Sequence, residues 1–268
     1  MALVFGAVNS DRVDCGSAAT LDDRTTMTCV MWVKWNGGAG PVRFWGKGLG
    51  GGGYAYFGMP GGGTARLVAT WDYTTTDATS QSSNSTLVSG SWQCVAVTFD
   101  NTNGPKLYAG SLSAPIAETG YAVGPTAPSG TRVSDAAQNF YIGNDEGAGA
   151  SFTKAWPGSI ASFALWNRVL SLGELLDQQF SPRVTSGCVL FAHLGFNGTG
   201  VQPDWSGKGN NGTVTGATQS AHAPLARPFG REDSSLPYIV AAPAAAAKFR
   251  RTLSPIGTRT GGRQMHAA

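Results

Sequence analysis

Hydrophobic alternation with a period of two recurs along this chain, the spacing that turns successive side chains to opposite faces of a β-strand. In Met27-Thr-Cys-Val-Met-Trp-Val-Lys-Trp35 it places Met27, Cys29, Met31, Val33 and Trp35 on one face, and Asn36-Gly37 follows as a turn signal. Ser91–Asp100 is the clearest strand, with Val95, Val97 and Phe99 facing inward, and Asn103-Gly104 turns it into Lys106–Ala109. Val42–Trp45, Tyr54–Phe57, Ala65–Asp72, Asn139–Gly143, Gly158–Trp166 and Gly187–Leu194 read as further strands. The polar stretch from Thr74 to Thr86 reads as a long exposed loop. One helix is predicted after Ser171: Ser171 and Glu174 form a capping box, Leu175, Leu176 and Phe180 follow, and Pro182 lies just beyond. Many short strands and one short helix predict an all-β, two-sheet antiparallel sandwich.

Composition narrows this further. With 38 Gly and 14 Pro in 268 residues, a 41% hydrophobic content and no Gly-X-Y repeat, the chain is neither a helical bundle, nor collagen, nor intrinsically disordered. Charge is uneven. Residues 1–233 hold 14 basic residues and all 16 acidic ones; residues 234–268 hold Lys248, Arg250, Arg251, Arg259 and Arg263 and no acid. A nearly neutral body is a poor nucleic-acid surface, so only the tail could serve an acidic partner. No apolar run approaches the roughly 18–20 residues of a membrane-spanning helix. Met1–Val8 lacks a basic leader and reads as a first strand, so the chain is expected to begin folded, without a secretion signal. Cys15, Cys29, Cys94 and Cys188 have no close paired spacing, which argues against zinc, and reduced buried thiols are favoured over a disulfide.

Several segments, taken in order, resemble the laminin-G-like/pentraxin branch of the concanavalin A-like lectin/glucanase superfamily. They are Asp11–Gly16, Met27–Trp35, Leu87–Asp100, Tyr141–Asn144, Trp156–Ile160 with Leu165–Ser171, and the closing loop Asp204-Trp-Ser-Gly-Lys-Gly-Asn-Asn-Gly212. The resemblance covers roughly residues 1–218 and implies a jelly-roll sandwich. Residues 1–222 are expected to form that domain, and residues 223–268 an extended Pro/Ala-rich basic tail. One departure stands out: the acidic pair the family carries after the isoleucine of its Trp156–Ile160 segment is Ala161-Ser162 here. A carboxylate role at that strand does not carry over.

The superfamily includes glucanases, whose chemistry needs two carboxylates facing the scissile bond. Glu118, Glu146, Glu174 and Glu232 are the only glutamates, none in an alternating acidic strand motif, so no catalytic residue is expected. Gly48-x-Gly50-x-x-Gly53 fits a dinucleotide fingerprint in form, but Tyr54–Phe57, next in the chain, reads as a strand where that fingerprint needs a helix. Asn144 and Asp145, with Asp100 or Asp204, could supply oxygen ligands to Ca2+, the one cofactor considered; turn formation is the other reading of the same residues. Trp71, Tyr73, Tyr54 and Tyr56 are candidate platforms for stacking on sugar rings, with core burial as the alternative.

In the tail, Lys248, Phe249, Arg250, Arg251, Arg259 and Arg263 read as an anchor. A lectin-like body with such a tail and no secretion signal points to a bacteriophage virion protein. It would be a capsid decoration or fibre-associated subunit made in the host cytoplasm, present in several copies or as a homo-oligomer, meeting other virion subunits through the tail and surface glycans through the sandwich. The alternatives are a free, extracellular carbohydrate-binding or adhesion module and, less favoured, a glycoside hydrolase.

Overall fold

The alternating segments pair as antiparallel strands in two sheets. A computed structural model describes residues 1–225 apart from residues 7–9, 39, 49–52, 63, 84 and 148–150. The chain divides into two units, Met1–Phe229 and Gly230–Ala268; the second, with the expected anchor Lys248, Phe249, Arg250, Arg251, Arg259 and Arg263, lies outside the described residues. In chain order the strands begin with β1 (Ala2–Phe5), β2 (Arg12–Asp14), β3 (Thr26–Trp35), β4 (Val42–Lys47), β5 (Ala55–Met59) and β6 (Val68–Trp71). They continue with β7 (Ala78–Ser82), β8 (Trp92–Asp100), β9 (Lys106–Ser111), β10 (Ala117–Glu118), β11 (Tyr121–Thr126) and β12 (Phe140–Ile142). Strand β13 (Gly158–Trp166) leads to helix α1 (Leu172–Phe180), and β14 (Cys188–Ala192), β15 (Thr213–Thr215) and β16 (Thr218–Ser220) close the fold.

The first sheet runs β10-β9-β8-β3-β13-β1-β16, with β14 also paired to β13; the second runs β11-β7-β6-β5-β4-β12-β2-β15. Between them lies an aromatic core. Trp71 stacks on Phe99 from the opposite sheet, centroids 4.3 Å apart, and Phe140 meets Phe163 edge-on at 5.9 Å. Met27, Cys29, Met31 and Val33 of β3 point into this core, as their spacing predicts. The opposite face of β3, with Val30 and Trp32, is buried as well. Helix α1 covers it: Leu175 packs there, and Gln179, fully buried, donates from Nε2 to the Ser111 and Ala114 carbonyls and accepts from the Ile116 amide. The Trp32 indole closes the joint by donating to the Gln179 carbonyl at 2.9 Å. The outer face of the first sheet is thereby sealed.

Two expectations are revised. The Thr74–Thr86 stretch contains β7, because its inward serines have partners: the Ser82 hydroxyl accepts from the Leu67 amide at 2.8 Å and the Ser80 hydroxyl donates to the Pro105 carbonyl. Polar side chains with satisfied hydrogen bonds can occupy a core face that hydrophobicity alone would deny them. The packed body also runs past residue 222, since Ala223 is fully buried and Leu225 packs against the same cluster. At the Ala161-Ser162 departure, Ser162 sits at a bulge with a left-handed φ of 49°, its hydroxyl 2.8 Å from His222 Nε2, so it ties down the segment leaving β16.

The expected thiols and glycine loop hold their places. All four cysteines are free and buried, and burial raises the Cys188 thiol to about 11. Gly48 and Gly53 fall between strands β4 and β5, while residues 49–52 lie outside the described residues.

The helix start carries a testable electrostatic signature. The Ser171 hydroxyl accepts from the Glu174 amide, and the Glu174 carboxylate accepts from the Ser171 amide at 2.9 Å and from both terminal nitrogens of Arg168. These contacts, Arg168 foremost, hold the Glu174 carboxyl at about 2, below its ordinary 4.5. A lowered folded value means that this contribution to stability is complete above the unfolded value and is lost as pH falls from about 4.5 towards 2. Titration of Glu174 by carbon-detected NMR is expected to show the lowered value in the native chain and a return towards 4.5 in Arg168→Ala. An unchanged midpoint in that variant would refute the assignment.

Candidate functional site

With α1 packed on the outer face of the first sheet, the outer face of the second is the other broad sheet surface. Register places Tyr141 of β12, Gly46 of β4, Tyr56 of β5, Thr70 of β6 and Thr79 of β7 in one outward row. The chain after β12 covers the β2–β12–β4 side of this face. Phe152 packs edge-on against Tyr141 at 5.2 Å, under the Arg12 guanidinium at 3.9 Å, and the Tyr141 hydroxyl donates to Glu146 at 2.8 Å. Asp145 descends directly above Gly46, where a Cβ would lie 2.4 Å from that of Asp145, so only glycine fits. On the β5–β7 side the outward Tyr56 and Thr79 are half-buried and Thr70 is buried.

Tyr54 and Tyr56 stand on this side, half-buried and stacked at 6.1 Å with an interplanar angle of 16°. The strip is fixed from two directions. The Arg43 guanidinium lies over the Tyr56 ring at 3.7 Å, and the Tyr54 hydroxyl donates to Asp77 at 3.0 Å. Burial, then the Asp77 carboxylate, pushes the Tyr54 hydroxyl well above the ordinary tyrosine range, so it remains a donor at neutral pH. Asp77 also accepts from the Tyr73 amide at 3.0 Å, and burial followed by the charge of Asp77 raises Asp72. Such a surface offers flat apolar faces with polar edges.

The other two aromatic candidates are corrected. Trp71 is fully buried and Tyr73 nearly so, both in the inter-sheet core. They share the strand parity of Leu67 and Ala69, which are also inside, whereas Tyr54 and Tyr56 alternate with buried Ala55 and Phe57. Trp71 is a packing residue, and no sugar can reach it.

Asn144 and Asp145 do not fit calcium. Asn144 Oδ1 already accepts from the amides of Asp145 and Lys154, at 2.9 and 3.1 Å, and its amide nitrogen donates to the Asp11 carbonyl. The buried Asp145 carboxylate faces two cations, Arg43 Nε at 2.9 Å and Lys154 Nζ at 3.7 Å. Asp100 accepts from the Thr102 and Asn103 amides of its own turn, and Asp204 holds a separate loop. Among the described residues, no group of three or more His, Cys, Asp or Glu is placed to hold a metal ion. Burial outweighs both cations and raises the Asp145 carboxyl, so this pair is a structural clamp for the chain after β12.

A different aromatic pair escaped the sequence reading. Phe196 and Trp205, in the segment between β14 and β15, meet edge-on at 5.6 Å and are 47% and 50% exposed. The signal available was a lone tryptophan among turn-forming residues, Asp204-Trp-Ser-Gly-Lys-Gly. No strand periodicity surrounds it to bury it.

Residues 7–175 match the family described as the Concanavalin A-like lectin/glucanases superfamily, through a laminin G-type domain. No curated protein matches the chain. Among solved structures, a candidate carbohydrate-binding protein from Bacteroides ovatus aligns with a TM-score of 0.57 and 18% identity over 84% of this chain, which spans 61% of that protein's length. A SAP-like pentraxin from Limulus polyphemus aligns at 0.47 and 10% identity, covering 66% of this chain and 80% of its own. The CBM40 of a Ruminococcus gnavus sialidase, bound to α2,3 sialyllactose, aligns at 0.45 and 16%, covering 66% and 96%. At these identities the likeness concerns the fold.

The clamp makes a joint prediction. Asp145→Ala strands the buried Arg43 guanidinium and is expected to cost about 3–5 kcal/mol in chemical denaturation, whereas millimolar calcium or a chelator should leave the wild-type melting temperature unchanged. A calcium-dependent rise that disappears in Asp145→Ala would restore the metal site.

Proposed function

Since the chain belongs to the concanavalin A-like lectin/glucanase superfamily, we propose that it binds glycans without cleaving them, on the outer face of its second sheet. The observation that carries this reading is the stacked Tyr54–Tyr56 strip, with Arg43 on one face of the Tyr56 ring and Asp77 at the Tyr54 hydroxyl. Aromatic faces of this kind take the C–H faces of sugar rings, and a pre-ordered strip loses little entropy on binding. The carbohydrate-binding description of the Bacteroides ovatus relative is in keeping with it.

The non-catalytic part rests on how the nearby carboxylates are engaged. Hydrolysis of a glycosidic bond needs two carboxyl groups about 5–9.5 Å apart with the sugar between them. Here Asp77 accepts from Tyr54 and Tyr73, Glu146 from Tyr141, and Asp14 from Asn139 and the Gly16 amide. Each of these holds local structure. The setting we favour is a bacteriophage particle, with the sandwich displayed as a capsid-decoration or fibre-associated subunit made in the host cytoplasm. The tail would tie it to other virion subunits, a reading supported by five basic residues and no acid over residues 234–268.

On a glycan array the full chain is expected to bind a defined subset of glycans, with Tyr56→Ala weakening them about tenfold, equivalent to about 1.4 kcal/mol, and with no reducing sugar released. Indifference to Tyr56→Ala would remove the strip from the site, and sugar release would overturn the non-catalytic reading. Exchange of Lys248, Arg250, Arg251, Arg259 and Arg263 for glutamine should abolish co-sedimentation with particles. Undiminished co-sedimentation would sink the anchoring role.

A further inference from the structure

The chain leaving β14 makes two tight turns, fixed by the buried Gln202 and the half-buried Asp204. Gln202, 1% exposed, accepts from the Gly195 amide at 2.7 Å and donates to the carbonyls of Gly198 and Gly200 at 3.2 and 2.7 Å. Asp204 accepts four hydrogen bonds: from the amides of Phe191, Ser206 and Asn210 and from the Ser206 hydroxyl, all at 2.8–3.0 Å. The Trp205 amide donates to the Phe191 carbonyl at 2.8 Å, which locks the backbone beneath the indole to the end of β14. A side-chain carboxylate and carboxamide with nearly every acceptor and donor engaged leave these turns little freedom to rearrange.

Held in this way, Phe196 and Trp205 cannot turn inward. Exposed apolar surface costs about 25 cal/mol per Å2 relative to burial, and the chain avoids that cost elsewhere. Trp32, Trp45, Trp71, Trp156 and Trp166 are fully buried, and Trp205 is the most exposed of the eight tryptophans. Single exposed hydrophobics need no explanation, but two large rings in contact on a braced turn form a patch the fold does not require. Their planes meet at 90°, one ring serving as a floor and the other as a wall. Exposed Asn197 and Asn211 lie in the same turns; Asn197 Nδ2 donates to the Val201 carbonyl and Asn211 Oδ1 accepts from the Asp204 amide, which leaves Asn197 Oδ1 and Asn211 Nδ2 for hydroxyls.

We propose that the Phe196–Trp205 corner is a stacking site for a single neutral pyranose at the non-reducing end of a glycan. The inference rests on the glycan-binding reading and adds a contact separate from the Tyr54–Tyr56 strip. A two-ring corner on a projecting turn favours a chain end, whereas the strip on the flat sheet suits the interior of a chain. Ring C–H groups would lie on the electron-rich indole face.

Saturation-transfer difference NMR on the full chain tests this, with methyl β-D-galactopyranoside, methyl β-D-glucopyranoside and methyl α-D-mannopyranoside as probes. At least one glycoside should receive saturation on the C–H groups of a single ring face. Trp205→Ala and Phe196→Ala should each cut that signal at least about fivefold, and Trp205→Phe should retain part of it. Circular dichroism and the melting temperature establish that each variant is folded. Absence of saturation for all three glycosides overturns the corner, as does a signal indifferent to Trp205→Ala. If the chain still binds array glycans in a Tyr56-dependent manner, the glycan reading survives that result; if it binds neither, both fall.

Discussion

Strands β3 and β13 have to be buried on both faces, and the architecture follows from that requirement. All nine residues of β13 are buried, and β3 carries Met31 and Val33 towards one side and Val30 and Trp32 towards the other. The second sheet answers the inner face through contacts such as Trp71 on Phe99, and α1 answers the outer face through Leu175 and Gln179. On the second sheet the outward Tyr54 and Tyr56 stay half-buried. Recognition chemistry therefore belongs on the second sheet and on the turns at the rim of the sandwich.

Those exposed surfaces are held by buried polar groups, most of them uncharged. Gln179, Gln202, Asn144 and Asn210 are each nearly or fully inaccessible and each bridge segments distant in sequence or around a turn. A buried amide satisfies several backbone groups without the desolvation cost of an ion. This accords with a sequence of 19 basic and 16 acidic residues in 268. Several buried charges come paired, as Arg43 with Asp145 and Lys47 with Asp22 at 2.8 Å. The tyrosine strip depends on the first pair, since Arg43 touches both Asp145 and the Tyr56 ring.

Much of the fold was legible because apolar alternation reports burial directly. The β3, β8 and β13 patterns and the Ser171 capping box need only local sequence. Strand β7 was not legible, since Ser80 and Ser82 are inside on the strength of partners at Pro105 and Leu67 that no local window contains. Of the aromatic candidates, Trp71 and Tyr73 could have been set aside by extending the Leu67–Ala69 parity two and four residues further; the type of residue outweighed its phase. Trp205 lies where phase has no meaning, in a turn whose conformation is set by Asp204 and its four donors. Asn144 and Asp145 carry the right atoms for calcium, but Arg43 and Lys154, 102 and 9 to 10 residues away in sequence, decide their role.

The central claim is that glycans meet the second sheet's outer face and the rim corner, leaving the sealed face of the first sheet untouched. Chemical-shift mapping of the full chain, titrated with a glycan selected on the array, addresses it most directly. The account predicts shifts at the amides of Tyr54 and Tyr56 and at the Trp205 indole N–H. Shifts confined to α1 and to the Trp32 indole beneath it would contradict it.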